Sequence, residues 1–273
     1  MIKDIFNNNC RICGEEKYTK VYNKSSFNYV ICSKCGVTRQ FPYPTEKEIH
    51  LFYENYLNRK QKVSPLYLSD NYWEKFKNEK DLTFKDLKIP FYTMKDKKVL
   101  DIGCAVGQFV QYMLFHGAEC CGIDVSEELV NIAQKNGLNC STVPLFDIDK
   151  GFDLISMWHV IEHVGNPKKY LAHINTILNK SGALIIETPC RGIISSIFGA
   201  KWRFYMPIEH IHLFSQNSLF KLLNLMGFRI VRWTRFGSGN TSGTVHPLLK
   251  LFFDRISKLL HIGDTIAVYC EKK

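Results

Sequence analysis

A glycine turn that follows a short apolar run constrains the fold of this chain more than any other segment. Residues 99–109 read VLDIGCAVGQF, and Gly103 and Gly107 lie between a predicted strand and a predicted helix. Because glycine has no Cβ, the backbone of such a turn can approach a ligand closely. A second predicted strand ends at Asp124, where a carboxylate can accept hydrogen bonds from both hydroxyls of a ribose.

Strands and helices alternate from Lys97 onward. The pattern predicts strands over residues 98–103, 120–125, 140–143, 152–158, 183–188, 228–236 and 265–271. Helices are predicted over residues 108–117, 127–136, 167–178 and 218–226. This alternation predicts an α/β fold, a Rossmann-like seven-stranded and mostly parallel sheet with helices on both faces. In such sheets the ligand lies at the carboxyl ends of the strands, where the strand order reverses.

The turn favours a cationic ligand over a pyrophosphate. It does not fit the G-x-G-x-x-G pattern, whose three closely spaced glycines seat a pyrophosphate. Asp101 lies two residues before the first glycine, and its carboxylate would repel a pyrophosphate. The same carboxylate suits a ligand with a sulfonium and an ammonium group, which favours S-adenosylmethionine over a nicotinamide cofactor.

With the later segments GIDVS (122–126) and FDLISMWHVIEHV (152–164), the turn resembles the class I S-adenosylmethionine-dependent methyltransferases. The resemblance covers about Lys97 to Lys273. It implies that Asp101 and Gly103 lie near the methionine portion of the cofactor and that Asp124 holds the ribose. The family usually has a second glycine where this chain has Ala105, and alanine should still allow the ligand to approach.

The loop after the third predicted strand would flank the adenine, with Leu145, Phe146 and Asp147 as candidates for the contact. Trp158 either packs against the cofactor or is a buried structural residue. The expected cofactor-binding residues are Asp101, Gly103, Cys104, Gly107, Phe109, Asp124, Val125, Phe146 and Trp158.

Two cysteine pairs near the start predict a metal site. Cys10 and Cys13 form one C-x-x-C pair, Cys32 and Cys35 form the other, and eighteen residues separate them. This spacing is typical of a four-cysteine zinc site, and four thiolates leave no open coordination position, so Zn²⁺ would be structural. The other six of the ten cysteines are expected to be small core residues.

The segment before residue 45 and the segment EHIHLFS (209–215) carry a second resemblance. Together they are similar to sugar methyltransferases that act on nucleotide-linked deoxysugars. That similarity implies that the front module helps to form the substrate cleft, that His210 is the general base and that Glu209 orients it. Alternatively, His210 and His212 anchor the loop by hydrogen bonds. Glu162 and His163 belong either to the site or to a local capping and packing pair.

Two departures from the sugar C-methyltransferases favour O- or N-methylation. Those enzymes have a tyrosine three residues before the histidine, where this chain has Pro207. They also carry a further domain beyond the point where this chain ends. The chain is therefore expected to comprise a zinc-binding module (1–44), a helical linker region (45–95) and an S-adenosylmethionine-binding domain (96–273).

Composition leaves the partner open. The formal net charge of +10 reflects either a solvated basic surface or a phosphate-bearing partner: a nucleotide-linked substrate, an anionic membrane or nucleic acid. Residues 245–262 have an apolar helical face, which either packs on the sheet or on a homodimer partner, or binds an anionic membrane. No signal peptide or transmembrane segment is evident, so the expected location is cytoplasmic, with peripheral contact at the inner membrane face as an alternative.

Three functions compete. The first is methyl transfer to a hydroxyl or amine of a sugar, a nucleotide sugar or a surface-glycan precursor. The second is methylation of RNA or another nucleic acid, against which the chain has no Asn-Pro-Pro-Tyr-type motif after the fourth predicted strand. The third is a binding module without catalysis, which the intact set of glycines and aspartates disfavours.

Overall fold

The computed structural model describes residues 9–24, 27–54, 70–149, 151–238 and 246–273, and these form strands β1–β11 and helices α1–α8. The strands are β1 (Tyr18–Lys24), β2 (Phe27–Cys32), β3 (Thr38–Phe41), β4 (Lys98–Ile102), β5 (Glu119–Ile123), β6 (Cys140–Ser141), β7 (Phe152–Trp158), β8 (Leu178–Arg191), β9 (His212–Ser215), β10 (Phe228–Phe236) and β11 (Thr265–Lys272). The helices are α1 (Glu46–Glu54), α2 (Asp70–Asp86), α3 (Gln108–Phe115), α4 (Glu127–Lys135), α5 (Pro167–Ile177), α6 (Ile193–Phe198), α7 (Gln216–Leu225) and α8 (Pro247–Leu259).

The main sheet confirms the predicted α/β fold. Its strand order is β6-β5-β4-β7-β8-β11-β10, in which β11 runs antiparallel to both of its neighbours and the other pairs are parallel. All seven predicted strands of this sheet are present. The strand order reverses at β4, which lies between β5 and β7. The glycine turn therefore opens at the position where α/β sheets bind their ligands.

Apolar side chains of the helices cover both faces of the main sheet. On one face Phe109, Val110 and Met113 of α3 are buried in the same cluster as Leu154 of β7. On the other face, residues of α5 and α7 such as Leu171 and Leu222 join a second buried cluster. Full burial of such a side chain stabilises the fold by about 1.5–3 kcal/mol, and this packing holds the strand ends at fixed positions.

The N-terminal module is hydrogen-bonded to the main domain. Strands β1, β2 and β3 form an antiparallel sheet, and β3 pairs with β9 through Thr38–Leu213 and Arg39–His212. Strand β9 in turn runs parallel to the end of β8. The sequence does not predict β9, which lies in the segment after the fifth predicted strand. Its four residues show no regular alternation of apolar and polar side chains, and its partner strands are distant in sequence.

The predicted helical linker forms α1, α2 and a 3₁₀ turn at Phe91–Met94, while residues 55–69 lie outside the described residues. Helix α2 packs on the main domain because the buried ring of Phe84 contacts the rings of Phe109 and Tyr112 on α3. This packing brings the middle of α2 to the carboxyl ends of the main strands.

The predicted amphipathic segment at 245–262 forms α8, and Val245 lies outside the described residues. Several of its large apolar side chains are exposed: Leu249, Phe252, Phe253, Leu259 and Leu260. Lys258 joins α8 to α2 through an ion pair with Asp86 at 2.6 Å. Among the residues that the structure describes, no helix combines the length and the apolar character needed to span a bilayer.

Candidate cofactor and acceptor site

The turn between β4 and α3 requires glycine at both predicted positions. Gly103 has φ +75, and a Cβ there would lie 2.4 Å from Cγ2 of Val160. Gly107 has φ +81, and a Cβ there would lie 2.6 Å from Cδ1 of Leu138. Ala105 between them also has a positive φ of 47, a conformation that costs a residue with a Cβ about 1–2 kcal/mol.

Asp124 connects the turn to the end of β5 through two hydrogen bonds. Its Oδ2 accepts a hydrogen bond from the backbone N–H of Ala105, and its Oδ1 accepts one from the N–H of Ser126, both at 2.9 Å. Burial raises the pKa of Asp124, and these backbone hydrogen bonds oppose that rise. Since each carboxylate oxygen can accept two hydrogen bonds, the carboxylate can also accept one from a ligand hydroxyl.

Asp101 is a buried acid with only one short hydrogen bond among the described contacts. It is 2% exposed, and its Oδ1 accepts a hydrogen bond from Oγ of Ser156 at 2.6 Å. Burial raises its pKa to about 7, against the opposing effects of Ser156 and the ammonium of Lys80. A cation that entered the cleft beside Asp101 would favour its charged form.

The remaining predicted cofactor residues fall in three places. Cys104 is buried within the turn, and the buried ring of Phe109 lies 4.9 Å from the ring of Trp158. Val125 is 76% exposed, next in sequence to Asp124. Phe146 is partly exposed and contacts Tyr170 of α5 edge-on at 5.3 Å. Their proposed contacts with a cofactor stay predictions.

A cluster of charged side chains lies at the carboxyl ends of β7 and β8. We call Lys80, His159, Glu162 and Glu187 the strand-end cluster. Nδ1 of His159 lies 3.1 Å from Oε1 of Glu162, and its Nε2 lies 3.4 Å from Oε1 of Glu187. Nζ of Lys80 lies 3.6 Å from the same oxygen of Glu187. His159 has φ +55, so the backbone holds this imidazole between the two carboxylates in a strained conformation.

Within this cluster the histidine is held protonated and the acids ionised. Burial opposes a charge on His159, but Glu162 and Glu187 raise its pKa to about 9. Burial likewise opposes a charge on Glu162, but His159 and the neighbouring histidines lower its pKa to about 2. The His159 side chain is 39% exposed, whereas the Glu162 side chain is fully buried. The imidazole is therefore the part of the cluster that is exposed to solvent.

The predicted catalytic pair lies directly beside this cluster. His210 is 4% exposed, its ring is 4.9 Å from that of His163, and its Nδ1 lies 2.7 Å from the carbonyl oxygen of Phe204. A carbonyl can only accept, so Nδ1 carries the proton and Nε2 keeps its lone pair. Burial and the neighbouring His163 lower the pKa of His210 to about 3, which keeps it neutral.

Glu209 contacts the histidines through its backbone, because its carbonyl oxygen accepts a hydrogen bond from Nδ1 of His163 at 2.6 Å. An orienting role for its carboxylate stays a prediction. Glu162, His163 and His210 bring one ligand atom each to within 4.8 Å of one another. One carboxylate oxygen and two imidazole nitrogens are also a donor set that divalent metal ions accept.

The four cysteines predicted as metal ligands converge. Sγ of Cys10 lies 3.6 Å from Sγ of Cys35, and Sγ of Cys13 lies 3.4 Å from Sγ of Cys32. All four sulfur atoms lie within 4.8 Å of one another. A tetrahedron with Zn–S bonds of about 2.3 Å has sulfur atoms about 3.8 Å apart, so the arrangement fits a zinc ion.

Lys80 and Glu187 are not among the residues predicted for the site, and His159 has no predicted role. An acid at the carboxyl end of a predicted buried strand was a usable signal for Glu187. No such signal was available for Lys80, because it is one of several lysines on a charged helix and its position depends on how α2 packs.

Known proteins of similar sequence and similar structure share one fold with this chain. A family model described as a methyltransferase domain matches residues 76–232. The chain is 29% identical over 136 residues to a ubiquinone biosynthesis O-methyltransferase of Coxiella burnetii, which covers 45% of this chain and 58% of that protein. The chain therefore spans less than two thirds of the length of that relative.

Another ubiquinone biosynthesis O-methyltransferase, from Pelagibacter ubique, is 30% identical over 179 residues, covering 56% of this chain and 75% of that protein. Among solved structures, magnesium protoporphyrin IX methyltransferase from Synechocystis with bound SAH has a TM-score of 0.57 at 16% identity. That match covers 82% of this chain and 97% of the other. At this identity the similarity describes the fold alone.

Ala105→Gly should stabilise the protein, because glycine removes the cost of the positive φ at this position. After the greater entropy of glycine in the unfolded chain is subtracted, the gain is about 0.5–1 kcal/mol, or about 1–4 °C in Tm. Ala200→Gly is the matched control, since Ala200 has no positive φ, and it should leave Tm unchanged or lower it. Calorimetry that finds the same change for both variants would contradict strain at Ala105.

Proposed function

This chain belongs to the methyltransferase domain family, and we propose that it transfers a methyl group from S-adenosylmethionine to a small-molecule acceptor. The observation that carries the proposal is the pair of acids at the turn, the buried Asp101 and the half-buried Asp124, on either side of a glycine cradle. Nicotinamide cofactors require space for a pyrophosphate, whereas this turn presents negative charge that suits a cationic cofactor.

Four residues of the turn and of the strands beside it would hold the cofactor. Asp124 would accept hydrogen bonds from ribose hydroxyls, and Asp101 would face the cationic methionine portion. Gly103 and Gly107 would allow the close approach. When bound, the cofactor supplies an activated methyl group, because the neutral thioether is a good leaving group. The protein then has to orient the acceptor and exclude water, which supplies much of the rate of such displacements.

His210 is proposed as the group that accepts the proton of the acceptor, with Glu209 in the orienting role. In support, His210 is neutral and its Nε2 has a free lone pair next to the strand-end cluster. A pKa of about 3 makes it a weak base. It therefore suits an acceptor whose hydroxyl is itself acidic, or one whose acidity is increased by the protonated His159 or by a cation at Glu162 and His163.

Two classes of acceptor fit this site. The cysteine module and the segment around His210 support a hydroxyl or amine of a sugar, a nucleotide sugar or a surface-glycan precursor. The names of the relatives support O-methylation of a hydroxyl, as in ubiquinone biosynthesis. The exposed apolar residues of α8, in a chain of net charge +10, support peripheral contact with an anionic membrane that carries a lipid-linked acceptor.

Turnover of S-adenosylmethionine with a labelled methyl group should be seen with one of these acceptor classes. The panel comprises nucleotide sugars, phenols, lipid-linked glycans in anionic vesicles, and RNA.

Asp124→Asn should weaken binding of S-adenosylhomocysteine about 10–100-fold, because it loses charge-assisted hydrogen bonds worth about 1.5–3 kcal/mol. Asp153→Asn, at the opposite end of β7, is the matched control and should bind normally. Failure of the wild-type protein to bind the cofactor, or methylation of RNA alone, would contradict the proposal.

His210→Gln should lower kcat about 10²–10⁴-fold, the usual contribution of a general base, while binding of S-adenosylhomocysteine stays within about threefold. His246→Gln, at an exposed histidine that precedes α8, should leave kcat unchanged. Turnover by His210→Gln at the wild-type rate would rule out His210 as the base. If added Mg²⁺ or Mn²⁺ raises turnover of the wild-type protein but not of His210→Gln, the histidine acts as a metal ligand.

The four-cysteine site is proposed to hold a structural Zn²⁺, and the contacts of the module connect this ion to the catalytic segment. Tyr29 donates a hydrogen bond to the carbonyl oxygen of His210 at 3.1 Å. Oε1 of Gln40 accepts one from the N–H of Ile208 at 2.6 Å, and β3 pairs with β9. The module thereby supports the backbone on both sides of His210.

Removal of one zinc ligand should therefore impair turnover more than cofactor binding. Cys13→Ser should lose bound zinc, lower Tm by about 10 °C or more and reduce kcat. Its affinity for S-adenosylhomocysteine should change by less than about threefold. Cys121→Ser lies outside the quartet and should retain zinc and activity. A wild-type protein that is fully folded with no metal by elemental analysis would contradict a structural zinc.

A further inference from the structure

Three arginines lie at the carboxyl ends of the main strands, in the half of the sheet formed by β8, β11 and β10. Arg191 ends β8, Arg235 lies near the end of β10, and Arg203 lies between α6 and β9. Asp264 lies at the same edge, because it precedes the antiparallel β11 and its carbonyl oxygen accepts the N–H of Cys190 at 2.8 Å. Burial raises the pKa of the Cys190 thiol, and the charges of Arg235 and Arg191 oppose that rise. Both guanidinium groups are therefore close to this thiol.

Arg203 is held by an acid that faces the interior. Nε of Arg203 donates a hydrogen bond to Oδ2 of Asp264 at 3.1 Å, and its Nη2 donates one to Oδ1 at 3.0 Å. The side chain of Asp264 is completely buried, whereas that of Arg203 is 32% exposed. A guanidinium has five N–H donors, and Nη1 donates to none of the residues that the structure describes. The ion pair thus fixes the direction of the guanidinium and leaves its outer edge for another acceptor.

The other two arginines have no acidic partner among the described residues. The buried Nε of Arg191 has no hydrogen-bond partner there. Nε and Nη2 of Arg235 donate to the carbonyl oxygen of Gly263 at 2.9 and 2.6 Å, which satisfies these donors but does not neutralise the charge. Because a charge at a buried position is unfavourable without an opposite charge, an anion at this edge would be stabilised by both cations.

One aromatic ring separates Arg203 from the proposed base. Cζ of Arg203 lies 4.5 Å from the centre of the Phe204 ring. The centre of this ring lies 5.8 Å from that of His210 and 6.2 Å from that of His159, on which it stacks. A ligand with a hydroxyl at Nε2 of His210 and an anionic group at Nη1 of Arg203 would therefore span the width of one ring. A sugar with a phosphate on another ring carbon has such a separation.

We infer that Arg203 binds a phosphate group of the acceptor, and that Arg191 and Arg235 add to the positive charge of this subsite. The inference rests on the proposed function and narrows its acceptor to a phosphate-bearing molecule, such as a nucleoside diphosphate sugar or a sugar on a prenyl diphosphate. A phosphate carries about 1.5–2 negative charges near neutral pH and three acceptor oxygens. Its charge matches the two guanidinium groups without an acid, and paired N–H groups of arginine suit its oxygens. A carboxylate would neutralise only one of the two, and a neutral phenol would neutralise neither.

The test compares pairs of probes that differ by a diphosphate. Calorimetry measures binding to the protein saturated with S-adenosylhomocysteine. One pair is UDP-glucose and uridine, and the other is farnesyl diphosphate and farnesol in phosphatidylcholine vesicles. The wild-type protein should bind the diphosphate of at least one pair 10–100-fold more tightly than its partner, about the range expected for a charge-assisted hydrogen bond. Arg203→Met should abolish this difference, Arg203→Lys should keep part of it, and Arg191→Met should reduce it.

The outcomes separate the phosphate subsite from a structural role of the arginines. Arg203→Met leaves the buried Asp264 without its partner, so Arg191→Met and the wild-type comparison test the inference without breaking that ion pair. Arg229→Met, at the opposite end of β10 in an exposed ion pair with Glu271, should leave every affinity unchanged.

Binding of UDP-glucose supports a soluble acceptor, and binding of farnesyl diphosphate supports a lipid-linked one. The inference is wrong if the wild-type protein binds neither diphosphate more tightly than its partner. It is also wrong if folded Arg203→Met and Arg191→Met retain the wild-type difference. If the wild-type protein does not bind S-adenosylhomocysteine, the proposed function itself fails.

Discussion

The buried negative charge of Glu162 is the constraint on which the region around His159 and His210 depends. Its side chain is completely buried, and an ion in such a place costs several kcal/mol unless it is paired and hydrogen-bonded. His159 and the hydroxyl of Thr188 satisfy the carboxylate. The backbone oxygen of the same residue accepts the N–H groups of Ile211 and His212. One residue thereby joins the end of β7, the end of β8 and the segment that carries His210.

The same segment is held from its other side by the N-terminal module. Strand β9 lies between β3 of the module and β8 of the main sheet, so the module's sheet continues into the main domain. Cys10 and Cys32 are buried in the cluster that includes residues of the main sheet such as Ile186. A metal that fixes four thiolates in this module would therefore stiffen the segment that carries His210, although no cysteine of the quartet lies in that segment. The pairing of β3 with β9 thereby connects the cysteine quartet to the segment that carries His210.

Local chemistry explains which parts of this structure could be predicted. Gly103 and Asp124 were predictable because a turn with positive φ and a carboxylate at a strand end are properties of a few consecutive residues. The cysteine quartet was predictable because each C-x-x-C pair places two metal ligands within four consecutive residues. Strand β9 was not, because its pairing with β3 joins residues more than 150 positions apart. Lys80 was not, because its burial depends on the packing of α2 against α3.

The balance of charge in the cleft matters for the proposed reaction, in which a sulfonium cation becomes a neutral thioether. Glu162 and Glu187 have lowered pKa values and stay ionised, opposite Lys80 and the protonated His159. Asp101 differs, because its pKa of about 7 lets it exchange a proton near neutral pH. A cation beside it favours the ionised form, and loss of that cation favours protonation. The protonation of Asp101 is therefore sensitive to a cation in its surroundings, whereas the two glutamates stay ionised opposite His159 and Lys80.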